Sequence, residues 1–390
     1  MSAYQNLEQM KGDFYTQKFE AGKQDGTLII NMGPQHPSTH GVLRVMIEVD
    51  GEYIVRAEPV LGYLHRMHEK MGETQMWGGF IPNMGRVDYG HAMAWNWAYV
   101  GAVEKLMGIE VPERAEYLRV IMTELNRLAS HLLWWGAYIL DLGAFTPILY
   151  AFEDREMLLD ILQRPSGSRL TYSNFRVGGM QMDMDDKCVE LIKAFIPHFR
   201  KRLPMYHDLV TGNIILRRRI EGIGIIDQDM CRRYGCTGPV LRGAGVPYDI
   251  RRAEPYGIYD RFDFEIPTQD TCCSAGRYHV RLAEMEQSLR IIEQAVEQLP
   301  SAEGGYIMDK APKPSMKPPA GEAYFCVEGG RGKIGIYVLS DGGKVPYRVK
   351  LRAPGLSNLN AFVEAATGTL IADAVAILGS LDLIIPEIDR

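Results

Sequence analysis

The chain has 390 residues, of which 46% are apolar and 24% charged, and 43 Lys and Arg stand against 49 Asp and Glu for a formal charge of -6. That apolar content excludes a disordered chain, the acidic balance argues against a dedicated nucleic-acid binder, and six cysteines in this length are no disulfide scaffold. The length allows two or three structural units.

Residues 1–15 include Glu8 and Asp13 and have no apolar run, so neither a secretory signal nor a transit peptide is expected there. The mature chain is expected to start near Met1, in a reducing compartment. Residues 27–60 read as extended. Leu28-Ile29-Ile30 leads into a Gly/Pro/His loop, Val42 to Val49 forms the next strand, and Asp50-Gly51 signals a hairpin into Glu52–Val55. From Leu64 to about Arg202 the pattern is helical. Pro112 suits a first helical position. Beyond it, Leu118, Ile121, Met122, Leu125, Leu128, Ala129, Leu132 and Trp135 recur at helical spacing.

The stretch Leu132–Phe152 carries one charge, Asp141, and imitates a membrane span. A central carboxylate and the interruptions at Gly136, Gly143 and Pro147 favour a buried core helix ending near Asp141 instead. Phe152–Gln163, Asp185–Arg202 and Arg277–Leu299 are further helices, with Pro204 expected to stop the second. Four long helices suggest a bundle. Pro312, Pro314, Pro318 and Pro319 mark a linker, followed by strands Ala323–Glu328, Ile334–Leu339 and Tyr347–Leu351 and a helix capped by Ser357. The expected fold class is α+β, a central long-helix bundle with small antiparallel sheets at both ends. Its units are a small β region at 1–63, a helical core at 64–300, the Pro-rich linker at 301–322 and a C-terminal α+β region at 323–390.

Several clusters carry chemistry. His36 and His40 flank a proline-stiffened turn, either as backbone-bonded turn histidines or as two ligands of a metal that would need a third. In Arg86-Val87-Asp88-Tyr89-Gly90-His91, Tyr89 is either a core phenol or a hydrogen-bond donor to a ligand. Asp141 either pairs with an imidazole, which would satisfy its burial, or caps the next turn. The run Gly62-Tyr63-Leu64-His65-Arg66-Met67-His68-Glu69-Lys70 reads as a surface helix start. The cysteines contain no C-x-x-C pair, so an iron–sulfur or zinc site of this chain alone is not expected. Gly329-Gly330-Arg331-Gly332-Lys333 lies between strands and reads as a hairpin loop rather than a phosphate cradle.

The strings NMGPQHPSTHGVLR (31–44), GYLHR (62–66), GRVDY (85–89), TELNR (123–127), LDLGAFTP (140–147), GCTGPVLRGAG (235–245), EMEQSLR (284–290), YVLSDG (337–342), LRAPG (351–355) and EIDR (387–390) run in order along the chain. They resemble the quinone-site subunit family (the 49 kDa, or D, subunit) of respiratory complex I, NADH:quinone oxidoreductase. The family is related to the large subunit of nickel–iron hydrogenases, whose two C-x-x-C metal-ligand pairs have no counterpart here: Thr74–Phe80 has no cysteine, and EIDR stands in place of the second pair.

The resemblance implies a hydrogenase-large-subunit-like fold and no metal of the chain's own. Quinone is the implied substrate, reduced by electrons from a [4Fe-4S] cluster in an adjacent B subunit. Other implied partners are the C subunit and the membrane H subunit, and the implied place is peripheral, at the cytoplasmic face of a bacterial inner membrane. It assigns quinone contacts to His40 and Tyr89, with His36 nearby, and gives His40 its acid in Asp141. It sets Arg66, Arg86 and Arg169 near the partner's cluster. Many members have a histidine where this chain has Thr171. A related complex fed by ferredoxin or a deazaflavin, and a non-catalytic scaffold, are the alternatives.

Overall fold

The computed structural model describes Phe19 and residues 23–36 and 41–390. Strands β1 (Leu28–Met32), β2 (Arg44–Asp50) and β3 (Tyr53–Val60) form an antiparallel sheet in that order. Asp50 pairs with Tyr53 across the expected turn, and Gly51 supplies its left-handed backbone at φ +58.

The long helices are α1 (Ala92–Met107), α2 (Glu113–Asp141), α3 (Thr146–Ser166), α4 (Asp186–Tyr206) and α5 (Ser274–Gln298). Between α3 and α4 the two-residue strands β4 (Phe175–Arg176) and β5 (Gly179–Met180) pair antiparallel. α2 packs on α3 and α5, while α1 lies against the C-terminal sheet. The apolar tract 132–152 is broken between α2 and α3. Among the described residues no helix is long and apolar enough to cross a membrane. Every residue from Tyr117 to Leu132 is buried, so α2 is enclosed on all sides rather than along one stripe. Its polar residues tolerate this because they are paired: Arg119 meets Glu104 at 2.7 Å, Glu124 meets Arg251 at 3.1 Å, and His131 meets Glu284 at 3.1 Å.

Several boundaries differ from expectation, among them the start of α3, six residues before Phe152. Pro112 is the N-cap of α2, one residue before its first turn. α4 runs through Pro204 to Tyr206, because the buried Tyr206 hydroxyl donates to the Asp154 carboxylate of α3 and anchors the last turn. Arg202 likewise reaches Asp154, at 2.9 Å, instead of serving its own helix end. The C-terminal helix α6 (Pro354–Ala366) begins at a proline in its first turn, with Ser357 inside it.

β6 (Gly321–Gly329), β7 (Gly332–Ser340) and β8 (Arg348–Arg352) form the second three-stranded antiparallel sheet, followed by α6, α7 (Ile371–Leu381) and α8 (Ile385–Asp389). The proline-rich stretch before β6 is tied down by backbone bonds: Met180 N–H donates to Tyr306 O at 2.8 Å and Gly78 N–H to Pro314 O at 3.1 Å. The N-terminal sheet shares its core with the C-terminal helices, Val45, Ile47 and Ile54 clustering with Leu359, Phe362, Ile377 and Ile385. The sheet of β1 to β3 and the C-terminal helices therefore meet.

The tip of the β6–β7 hairpin reaches deep because two glycines permit it. A Cβ on Gly238 would lie 2.5 Å from Arg331 O, and one on Gly332 would lie 2.5 Å from Thr237 Oγ1. Both have positive φ, +70 and +131. Gly238→Ala is therefore expected to lower the stability of the full-length chain by at least about 2 kcal/mol, combining backbone strain with a backbone clash. The unfolding midpoint checks this, and an unchanged midpoint would contradict it.

Candidate functional site

Asp88 and Tyr89 lie on the turn entering α1. Asp88 Oδ1 accepts the Gly90 and His91 amide N–H groups at 2.9 and 3.1 Å and so closes the turn. Its Oδ2 accepts from Arg331 Nη1 at 2.8 Å. Tyr89 is half-buried and borders a cavity of about 200 Å³. Leu133, Trp134 and Ala137 of α2 make one wall; Asp382, Leu383 and Ile384, between α7 and α8, make another; Arg331 completes it. The lining is mostly apolar, with a phenol, a guanidinium and a carboxylate converging, which is the usual make-up of a small-molecule site.

The electrostatics follow from burial. Arg331 is buried with four donated hydrogen bonds: Nε to Asp382 O at 3.0 Å, Nη1 to Asp88 Oδ2 at 2.8 Å and Ser130 Oγ at 3.2 Å, and Nη2 to Asp382 Oδ1 at 3.1 Å. Among the described residues Asp382 Oδ2 has no hydrogen-bond partner, and it lies 3.9 Å from Arg281 Nε. Burial raises the Tyr89 pKa, with the Arg331 charge working against that rise. Behind the cavity, His91 Nδ1 accepts the Gly330 amide N–H at 2.8 Å, so Nε2 carries the proton and donates to Thr123 O at 3.1 Å. Burial, and then Arg127, hold this imidazole neutral. Glu387 is fully buried: Oε1 accepts the Gly355 N–H at 2.8 Å, and Oε2 has no partner among the described residues. Burial pushes its pKa up to about 8, helped by Asp88.

His40 lies outside the described residues. The chain resumes at Gly41, where a Cβ would stand 3.7 Å from Ile385 Cγ1, next to the Leu383–Ile384 wall. His36 is exposed and does not line the cavity. Asp141 requires a correction. It is half-buried at the last residue of α2, not deep in the core, because the helix ends there in a Gly143 turn at φ +99. It stands one helical turn beyond Ala137 and is not among the residues lining the cavity.

Arg66 and Arg86 are exposed, and Arg169 is partly so. Arg86 Nη1 donates to Pro82 O at 2.7 Å, and Arg169 pairs with Glu156 and Asp160 of α3. The segments of Arg86 and Thr171 are neighbours: Tyr172 O accepts from Asn96 at 2.7 Å and lies 3.2 Å from where Gly85 would carry a Cβ. Thr171 has a left-handed backbone, φ +51, rare for a β-branched residue. The loop of Arg66 is fixed by the C-terminal motif, the Asp389 carboxylate accepting the Gly62 and Leu64 N–H groups at 3.0 and 2.7 Å. His68, expected on a surface helix start, is instead buried, with neither ring nitrogen bonded to any described residue, and burial lowers its pKa to about 4.

Residues 141–390 match the family model described as respiratory-chain NADH dehydrogenase, 49 Kd subunit. The chain is 54% identical over 364 residues to a NADH-quinone oxidoreductase D subunit (the second, D 2) of Opitutus terrae, covering 93% of this chain and 90% of that protein. It is 56% identical over 366 residues to the D subunit of Desulfotalea psychrophila, covering 94% and 98%. Against the D subunit of Syntrophobacter fumaroxidans it is 52% identical over 373 residues, covering 96% and 99%. The chain belongs to the 49 kDa, or D, subunit family. Its α+β architecture, helices with small antiparallel sheets, is the one expected of that family.

In this D-subunit chain, sequence reasoning missed Arg331, Asp382 and Glu387 as parts of the site. The signal available was an arginine held between glycines, Gly330 and Gly332, which marks close backbone approach rather than a free loop. For Glu387 the linkage is explicit. The folded chain keeps the proton to about pH 8, whereas the ordinary carboxyl releases it near 4.5. Its contribution to stability is complete below about pH 4.5 and is lost as pH rises through about 8. Glu387→Gln is expected to remove that decline, so that unfolding midpoints of the variant change less than the parent's between about pH 5 and about pH 8. Equal declines in the two proteins would contradict the assignment.

Proposed function

We propose that this chain is the quinone-site subunit of a proton-pumping NADH:quinone oxidoreductase and that the Tyr89 cavity receives the quinone headgroup. The observation carrying this reading is the convergence of Tyr89, the Leu133, Trp134 and Ala137 face of α2 and the Leu383–Ile384 wall on one small apolar cavity, with Gly41 packed beside Ile385. A volume of about 200 Å³ is below the ~300–1,000 Å³ that encloses a drug-sized ligand, and suits a single ring whose tail remains outside.

Reduction of a quinone adds two electrons and two protons. The electrons come from the [4Fe-4S] cluster of the neighbouring B subunit, with Arg66, Arg86 and Arg169 shaping its surroundings. The protons go to the two ring oxygens. Tyr89 gives its hydroxyl proton to one, and His40 gives a proton to the other, with Asp141 orienting and charging the imidazole. The C subunit and the membrane H subunit complete the proposed surroundings, and the peripheral position is the cytoplasmic face of a bacterial inner membrane. The names carried by the relatives support the complex, and the cavity supports the site within it.

Tyr89→Phe is expected to lower quinone reduction by the assembled complex on the order of 10²-fold, the scale of a lost general acid. NADH:ferricyanide activity should stay at the parent level, because electron entry does not involve this chain. Parent-level quinone turnover in Tyr89→Phe would overturn the reading.

A further inference from the structure

The β6–β7 hairpin carries a buried cation that the quinone chemistry above does not use. Arg331 stands in the cavity wall with Tyr89. Its two carboxylate partners come from the segments that bound that cavity: Asp88 directly precedes Tyr89, and Asp382 directly precedes Leu383 and Ile384. Ser130, on α2 one turn before Leu133 and Trp134, takes a further hydrogen bond at 3.2 Å. One guanidinium thus holds three walls of the cavity in register.

The charge count is also informative. The described groups facing Arg331 are Asp88 at the entry to α1, Asp382 after α7, Glu387 on α8, Arg281 on α5 and neutral His91. Two guanidiniums face two carboxylates, Asp88 and Asp382, and Glu387 keeps its proton. A phenolate at Tyr89 adds one negative charge in a poorly solvated place, where a fixed cation counts for far more than in water.

We propose that Arg331 is the positioning residue for Tyr89, holding the phenol through Asp88 and supplying the fixed positive charge that stabilises the phenolate left when Tyr89 protonates the reduced quinone. In that step the Tyr89 O–H bond breaks and a new O–H bond forms on a ring oxygen. The two electrons are those delivered by the neighbouring subunit's cluster, and Arg331 is chemically unchanged. The inference rests on the quinone reading of the same cavity.

The test uses the assembled complex with NADH and a short-chain benzoquinone, and NADH:ferricyanide activity as the measure of electron entry. Arg331→Gln is expected to lower kcat about 10- to 100-fold with little change in KM and to raise the solvent deuterium isotope effect, because proton transfer becomes slower. Arg331→Lys, which keeps the charge, is expected to recover part of the rate. Placing 3,5-difluorotyrosine at position 89, a stronger acid of similar shape, is expected to rescue Arg331→Gln more than it accelerates the parent. A merely structural role for Arg331 would give no such rescue.

Should Arg331→Gln fail to assemble, Asp382→Asn keeps the guanidinium and removes one counter-charge, and is expected to move the isotope effect the opposite way, below the parent's. An assembled Arg331→Gln with parent kcat, an impaired one that difluorotyrosine does not rescue, or an Asp382→Asn isotope effect at or above the parent's overturns the proposal. Tyr89→Phe in the same assay separates the two failures. If it is impaired while these outcomes fail, only the role of Arg331 falls; if it turns over normally, the quinone reading falls first.

Discussion

A guanidinium stripped of water must be given carboxylates, and much of this fold is arranged around that demand. Arg331 receives Asp88 at 2.8 Å and Asp382 at 3.1 Å. Arg242 receives Glu284 at 2.7 Å and Glu328 at 2.8 Å, and Arg251 receives Asp249 at 2.7 Å and Glu124 at 3.1 Å. Except for Arg251–Asp249, the partners are distant in sequence, so these pairs tie together segments that are far apart along the chain. Breaking a buried pair by removing one partner costs roughly 3–5 kcal/mol, because the other charge is left behind. The network therefore penalises any slip of α2 against α5 or of the β6–β7 hairpin against either.

The same demand shapes the site. The cavity wall includes the chain segment between α7 and α8, and the N-terminal sheet packs on the helices that flank it. A pocket assembled from the turn before α1, from α2 and from the segment between α7 and α8 needs a fixed centre. Arg331 supplies it from the middle of a hairpin, bonded to the turn before α1, to α2 and to Asp382. Its reach depends on Gly238 and Gly332, whose missing side chains let two backbones touch.

How much of this was legible depended on the range of the interaction. The Asp50-Gly51 hairpin and the four long helices are local patterns, and each appears in the structure. Tyr89 was readable as a ligand-facing phenol only beside the alternative of a core residue, because nothing within GRVDY distinguishes them. The Pro204 stop failed because Tyr206 finds Asp154 on another helix. Arg331 looked like a hairpin loop residue because its partners lie 51 to 243 positions away. The end of the helix at Asp141 was legible from Gly143 and Pro147, whereas the full burial expected of that carboxylate is only partial in the structure.

The central claim is that a quinone ring occupies the space between Tyr89 and the Leu383–Ile384 wall. Irradiating the assembled complex with a short-chain azidoquinone and mapping the labelled peptides of this chain addresses it directly. The account predicts label on the segments Leu133–Ala137 or Asp382–Ile385, suppressed by excess unmodified short-chain quinone. Competable label confined to segments away from this cavity would contradict it.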